Sequence, residues 1–175
     1  MLLRPALLSL ALSAAPDTAQ VDLNRYLGRW YEIARFDHFF ERGCTAATQD
    51  VSRREDGNLK IENKCRKGSL DGKPSGATAK AWAPDPAVPG KLKIQFFWPF
   101  FSDFWILEVS PDYAYAALGG ESRKQAWVMS RTPTMPHDVY AGIVERLRAR
   151  GYDTSKLLKV DQVAPSSASD AGPQK

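Results

Sequence analysis

Few side chains in this sequence are equipped for chemistry. Cys44 and Cys65 could act as nucleophiles, hold a metal or join in a disulfide, and His38 and His137 are the only imidazoles available as bases or ligands. Around them no catalytic constellation forms. There is no Gly-x-Ser-x-Gly elbow and no phosphate-binding Walker loop, and the carboxylates are scattered rather than gathered at metal-ligand spacing. His137 falls where a helix should begin, a position that faces solvent. The chain therefore reads as a non-enzyme, with no metal and no cofactor.

The densest functional signal is apolar. Residues 96–105 read Phe96-Phe97-Trp98-Pro99-Phe100-Phe101-Ser102-Asp103-Phe104-Trp105, in which eight of ten are aromatic or proline. A hairpin tip of that composition cannot be buried by its own strands, and soluble proteins rarely expose such a patch without using it. It suits a hydrophobic small molecule, a membrane surface, a second copy of the chain or another protein partner. Basic charge with interleaved aromatics also describes an oligonucleotide-binding barrel. Here the aromatics concentrate in one hairpin and 24 Lys and Arg face 20 Asp and Glu, so the net charge of +4 argues against nucleic acid.

The elements that must position these residues are mostly strands. Short β-rich runs cover 28–36, 44–53, 58–66, 76–82, 91–97, 104–109, 113–118 and 125–131, with turn chemistry between them such as Glu55-Asp56-Gly57-Asn58 and Asp71-Gly72-Lys73-Pro74. Leu59-Lys60-Ile61-Glu62 and Leu92-Lys93-Ile94-Gln95-Phe96 alternate strictly, which buries one face and wets the other. Evenly spaced short strands imply an antiparallel sandwich or barrel, and eight is the number that encloses one small ligand when a barrel closes. One helix follows, starting near Pro136, with Val139, Ile143, Val144 and Leu147 at helical spacing and Gly151 as its stop. A short strand over 157–160 comes after it.

The ends of the chain have their own character. A basic start at Arg4, an apolar stretch over residues 5–15 and the small residues Ser13-Ala14-Ala15 make residues 1–15 a secretory signal peptide, too short to span a bilayer. The alternative is a disordered apolar tail or a buried first segment. No cysteine lies near the cleavage zone, which gives no support to a lipid-anchored form. Residues 21–163 then make one domain, and the Ser/Ala/Pro/Gln-rich stretch 164–175 a disordered tail. In an exported chain, an even cysteine count favours a Cys44–Cys65 disulfide. The two lie nearly equidistant from the turn at 54–57, within a slip that a bulge could absorb. Two buried free thiols are the alternative.

Three blocks carry a family resemblance. The run from Leu23 to Arg35, containing Gly28-Arg29-Trp30-Tyr31, resembles the first signature of the lipocalins. Ser110-Pro111-Asp112-Tyr113 resembles the turn before their seventh strand, with Pro111 where threonine is usual, and Trp127-Val128-Met129-Ser130-Arg131 resembles their third block. Within that superfamily the sequence is most similar to the bacterial lipocalins and the apolipoprotein D-like branch. The resemblance implies an all-β fold, an eight-stranded up-and-down antiparallel barrel with one C-terminal α-helix packed outside. It implies structural roles for Gly28, Trp30, Asp112, Tyr113 and Arg131, with Arg131 lying across the Trp30 indole at the closed end. It also places 96–105 at the open mouth. With strand alternation, the family register puts Ile94, Phe96, Phe104, Ile106, Trp127 and Met129 on the cavity wall, joined by Leu59, Ile61 and Tyr115. Arg35, His38 or Arg42 would meet a carboxylate or phosphate head at the mouth. The implied function is a lipid carrier in the periplasm or at the outer membrane, holding a fatty acid or lysophospholipid for storage, transport or membrane maintenance. A lipocalin-fold enzyme with Cys44 or Cys65 as nucleophile is the catalytic alternative.

Overall fold

Strand alternation sorts the apolar residues into two sets, and the computed structural model, which describes residues 18–163, places those sets on opposite faces of one closed sheet. The expected signal peptide, 1–15, and the expected disordered tail, 164–175, lie outside the described residues. A short helix α1 (Leu23–Tyr26) leads into β1 (Gly28–Phe36). Then follow β2 (Cys44–Arg53), β3 (Leu59–Lys67), β4 (Lys73–Trp82), β5 (Lys91–Phe97), β6 (Phe100–Val109), β7 (Tyr115–Gly119) and β8 (Ala126–Ser130). Helix α2 (His137–Ala149), a 3₁₀ turn (Thr154–Lys156) and a short β9 (Leu157–Lys159) complete the described chain.

From β1 to β8 each strand pairs antiparallel with the next. β1 closes the barrel by pairing with β8 (Tyr31 opposite Ser130) and with β2 (Gly28 opposite Val51). Past Tyr31, β1 and β2 part, and β9 takes the vacated edge of β1, from Ala34 opposite Lys159 to Phe36 opposite Leu157. The segment behind β9 fills the seam. Ala46 N–H donates to the Asp161 carbonyl at 2.6 Å, and the Gln162 amide donates to the Glu32 and Ala47 carbonyls. Three strands differ from the sequence reading by more than one residue at an end. β4 and β6 begin earlier, the latter because the aromatic run itself pairs, Phe97 opposite Phe100. β7 begins later, because Tyr113 turns at φ 60° while Ala114 N–H donates to the Ser110 hydroxyl.

Inside the barrel, Leu92 and Ile94 of β5, Phe104 and Ile106 of β6, Leu118 of β7 and Met129 of β8 meet Val51, Leu59 and Ile61. Their sequence neighbours Trp105, Leu107, Ala117 and Val128 point outward, where α2 covers them with Ile143 and Leu147. Glu108 fastens that helix to β6 by accepting from Arg146 at 2.6 Å and Arg150 at 3.1 Å. Gly151, at φ +83°, ends it as the composition implied.

The closed end is plugged. Trp30 is fully buried, stacks on Tyr26 at 4.8 Å between ring centres and donates its indole N–H to the Tyr26 carbonyl at 2.9 Å. The Arg131 guanidinium lies 3.7 Å over the indole and donates to the carbonyls of Arg25, Arg29 and Tyr113. Gly28 is required here. Its φ is +99°, and a Cβ would sit 3.3 Å from the Arg131 guanidinium. Asp112 accepts from Ala114 N–H and the Ser110 hydroxyl, which fixes the turn that carries Tyr113. Tyr113 in turn accepts from Asp22 N–H and holds the Arg25 guanidinium 4.0 Å over its ring.

Candidate functional site, the open end of the barrel

The opposite end is hollow. Loop 37–43 and residues of β1 to β6 and β8 surround a cavity in two compartments. The outer one, about 650 Å³, is enclosed by Phe39, Phe40, Phe96 and Phe97 on one side and by Ala47, Thr48 and the small residues 75–78 of β4 on the other. Small side chains on β4 leave the space that a Leu or Ile would fill. The inner one, about 110 Å³, is bounded by Ile94, Phe104, Trp127 and Met129. Glu32, Phe40, Glu41, Asn63 and Phe96 border both.

The residues expected to line the cavity therefore divide. Ile94, Phe96, Phe104, Trp127 and Met129 line it. Leu59, Ile61 and Ile106 point inward but lie lower, fully buried in the solid core above Trp30 and outside the compartment walls. Tyr115 corrects the expectation outright. It lies on the outer face beneath α2, with its hydroxyl toward Arg146, because Ala116 and Leu118 take the inward positions of β7.

The aromatic run is exposed at the rim, Trp98 by 85%, and Phe39 of the neighbouring loop by 83%. Basic groups stand among the rings. Lys93 lies 5.6 Å over Phe101, Lys64 lines the outer compartment, and Lys67 donates to the carbonyls of Phe40 and Arg42.

The polar head-group candidates are largely committed elsewhere. Arg35 is buried, pairing with Glu32 at 2.6 Å and donating to the Glu41 and Cys44 carbonyls. His38 is sandwiched between the Phe40 and Trp127 rings, and burial pushes its pKa down. Arg42 is exposed and pairs with Asp37 at 3.3 Å. His137 is exposed on α2, away from the cavity.

Sequence reasoning missed the polar cluster in the wall. Glu32 of β1, Gln49 of β2 and Asn63 of β3 face inward, and Glu41 joins them from the loop. Alternation carried the signal. Trp30 faces in, so Glu32 does too; Val51 puts Gln49 inside, and Ile61 puts Asn63 inside. Burial, aided by the charge of Glu41, pushes the Glu32 carboxyl up to about 8 against the opposing pull of Arg35. Glu41 is also pushed up by burial, while the Trp127 indole N–H, donating at 3.1 Å, favours its charged form.

Cys44 and Cys65 are joined, with Cα atoms 5.5 Å apart. The slip in register is absorbed by a β2 bulge between Thr45 and Thr48, where Ala46 adopts φ 47°. Both sulfurs being in this bond, no thiolate is available as a nucleophile. Among the described residues, no group of three or more His, Cys, Asp or Glu is placed to hold a metal.

This geometry has counterparts. A family profile described as a lipocalin-like domain matches residues 21–162. The outer membrane lipoprotein Blc of Vibrio cholerae is 36% identical over 142 residues, covering 81% of this chain and 82% of that protein. Apolipoprotein D of Mus musculus is 31% identical over 158 residues, covering 84% and 80%. Among solved structures, insecticyanin from the tobacco hornworm Manduca sexta superposes with a TM-score of 0.66 at 18% identity, covering 86% of this chain and 85% of that one, a likeness of fold alone. The plugged barrel, the outer helix and the match over residues 21–162 together mean that the chain belongs to the lipocalin-like family.

Proposed function

We propose that this protein is an exported carrier that holds a fatty acid or lysophospholipid in the open half of its barrel and catalyses no reaction. The observation that carries the reading is the outer compartment, about 650 Å³ of largely apolar space beneath a rim of exposed phenylalanines. Pockets of a few hundred Å³ suit drug- or lipid-sized molecules, and each buried methylene contributes about 0.8 kcal/mol. The names of the Vibrio cholerae relative and of apolipoprotein D point toward an envelope and lipid setting, and residues 1–15 read as an export signal. We place the mature domain, residues 21–163, in the periplasm, associated with the outer membrane.

Saturable quenching of tryptophan fluorescence by a long-chain fatty acid or lysophospholipid, added to delipidated protein, is the expected result. No saturable binding of either would overturn the reading. The exposed rim, with Lys67 held beside its rings by the Phe40 and Arg42 carbonyls, suits an anionic lipid surface, because the rings enter the interface while that ammonium group meets the headgroups. The F100S/F101S double variant should sediment less with phosphatidylglycerol vesicles than the wild type. If the change alters only the sedimentation mass of the protein itself, the rim joins two copies instead.

A further inference from the structure

The carrier reading leaves one feature of the cavity unused, the polar cluster that borders the inner compartment. We propose, building on that reading, that the inner compartment is a subsite for a hydrogen-bond-donating head group, a hydroxyl or an ammonium, which enters ahead of its chain.

Three strands and a loop bring acceptors together with little to satisfy them. The Gln49 amide nitrogen donates to Asn63 Oδ1 at 3.1 Å, but Gln49 Oε1, on a residue only 7% exposed, is buried and has no partner. Glu41 commits one oxygen to the Trp127 indole, and Glu32 commits one to Arg35. Their second oxygens carry no hydrogen bond among the described residues. Charges that could answer them are spent. Arg35 serves Glu32 and two carbonyls, Lys64 pairs with Asp50 at 3.1 Å, and Lys93 pairs with Asp103 at 2.6 Å. On the strands and loop that carry these acceptors the Asn63 amide nitrogen is the neutral side-chain donor left over, with the Gln125 amide and the Ser102 hydroxyl elsewhere on the compartment wall, while the unpaired Arg35 Nε does not line the compartment. A carboxylate or phosphate would add further acceptors to this wall and negative charge beside Glu41. A hydroxyl or ammonium supplies what is missing, and hydrogen bonds to the charged form are the stronger ones.

Size agrees with this orientation. The inner compartment of about 110 Å³ has room for a small head, while the apolar outer one of about 650 Å³ has room for a chain running toward the phenylalanine rim. A fatty acid would then have to bind with its carboxylate outward.

Calorimetric titration of the full, delipidated chain at neutral pH with decan-1-ol, decylamine, methyl decanoate and decanoate separates head from tail. The alcohol and the amine should bind about tenfold more tightly than the methyl ester, and decanoate most weakly. Gln49→Met, which keeps volume and removes the orphan acceptor, should bring the alcohol down to the ester. Glu41→Gln, which keeps shape and removes charge, should weaken the amine selectively. Decanoate binding as tightly as the alcohol, or a folded Gln49→Met variant with its preference intact, overturns the subsite. If Gln49→Met does not fold, an unchanged amine preference in Glu41→Gln overturns it instead. Equal binding of all four ligands removes the subsite and leaves the carrier reading standing, whereas no saturable binding of any removes both.

Discussion

The two ends of this barrel are built on opposite terms. At the closed end, Arg131 lies on Trp30 and donates to three carbonyls, Trp30 donates to the Tyr26 carbonyl, and Tyr113 accepts from Asp22. Among the described residues, the Tyr26 hydroxyl is the one buried side-chain polar atom there without a partner. At the open end, Arg35 Nε, His38 Nε2 and Gln49 Oε1 are all buried and unpaired, and large aromatic rings stand in solvent. Unpaired buried polar atoms cost stability. The floor is thus nearly satisfied within the chain, and the mouth is not.

That contrast breaks most visibly at Trp30. Trp30→Ala should destabilise by about 3–5 kcal/mol, the usual range for a large buried aromatic. Arg131→Ala should destabilise as well, and the double variant should lose less than the two losses added, because the groups touch. Chemical denaturation of the four proteins reads this directly, and strict additivity would mean that the stacked floor contributes nothing as a unit. Reduction of the disulfide acts on the mouth instead. Cys44 and Cys65 are 21 residues apart, so breaking the bond should cost about 3 kcal/mol on the loop-entropy estimate. Thiol labelling of unreduced, denatured protein should find close to no free thiols, and two would refute the pairing.

The same asymmetry governs what the sequence discloses. The floor was legible because its geometry demands particular residues at fixed spacing, a positive-φ glycine two residues before an indole and an arginine a hundred residues on that covers it. The strands were legible from alternation, and the β2 bulge was foreshadowed by the unequal distance of the two cysteines from their turn. The cavity was harder to read. Ile94 and Ile106 have the same inward orientation and chemistry, yet one borders space and the other does not, because depth along the barrel axis is set by register. Tyr115 was misplaced for a related reason. The turn holding Tyr113 delays the start of β7, and the phase of its alternation begins only after it. Glu32, Gln49 and Asn63 were visible at inward positions, but polar residues on an alternating strand read as the wet face until the neighbouring strand is phased.

Trp127 sharpens the comparison from the other side. Its ring bounds the inner compartment, stacks against His38 and orients Glu41. Trp127→Ala should weaken lipid binding by about 1.5–3 kcal/mol, ten- to a hundredfold, while shifting the melting temperature less than Trp30→Ala does. Titration with a long-chain fatty acid alongside thermal melts of both variants tests this. A Trp127 variant that melts early and binds normally would make the mouth structural and the contrast false.

The gentlest effect expected is a slope of stability with pH. Burial holds the Glu32 carboxyl up to about 8, so between the usual carboxylate range and pH 8 the folded chain carries a proton that the unfolded chain has lost. Stability must therefore fall as pH rises through that interval, by no more than about 1.4 kcal/mol per pH unit for one proton. Glu41, also pushed up by burial, acts with the same sign. His38 acts oppositely. Its lowered pKa means that the unfolded chain binds the extra proton, which makes stability rise with pH until the ordinary imidazole range is passed. The cleanest window thus lies between about pH 6.5 and 8, above the imidazole and below the Glu32 carboxyl. Urea midpoints measured across it should decline for the wild type and flatten in Glu32→Gln. Arg35 then keeps an amide partner, and the neighbouring Glu41 and Lys67 are unchanged. A wild-type profile that is flat, or that rises, across this window would mean that the cavity wall holds Glu32 ionised. The open end would then carry a charged floor to its ligand site instead of a neutral one.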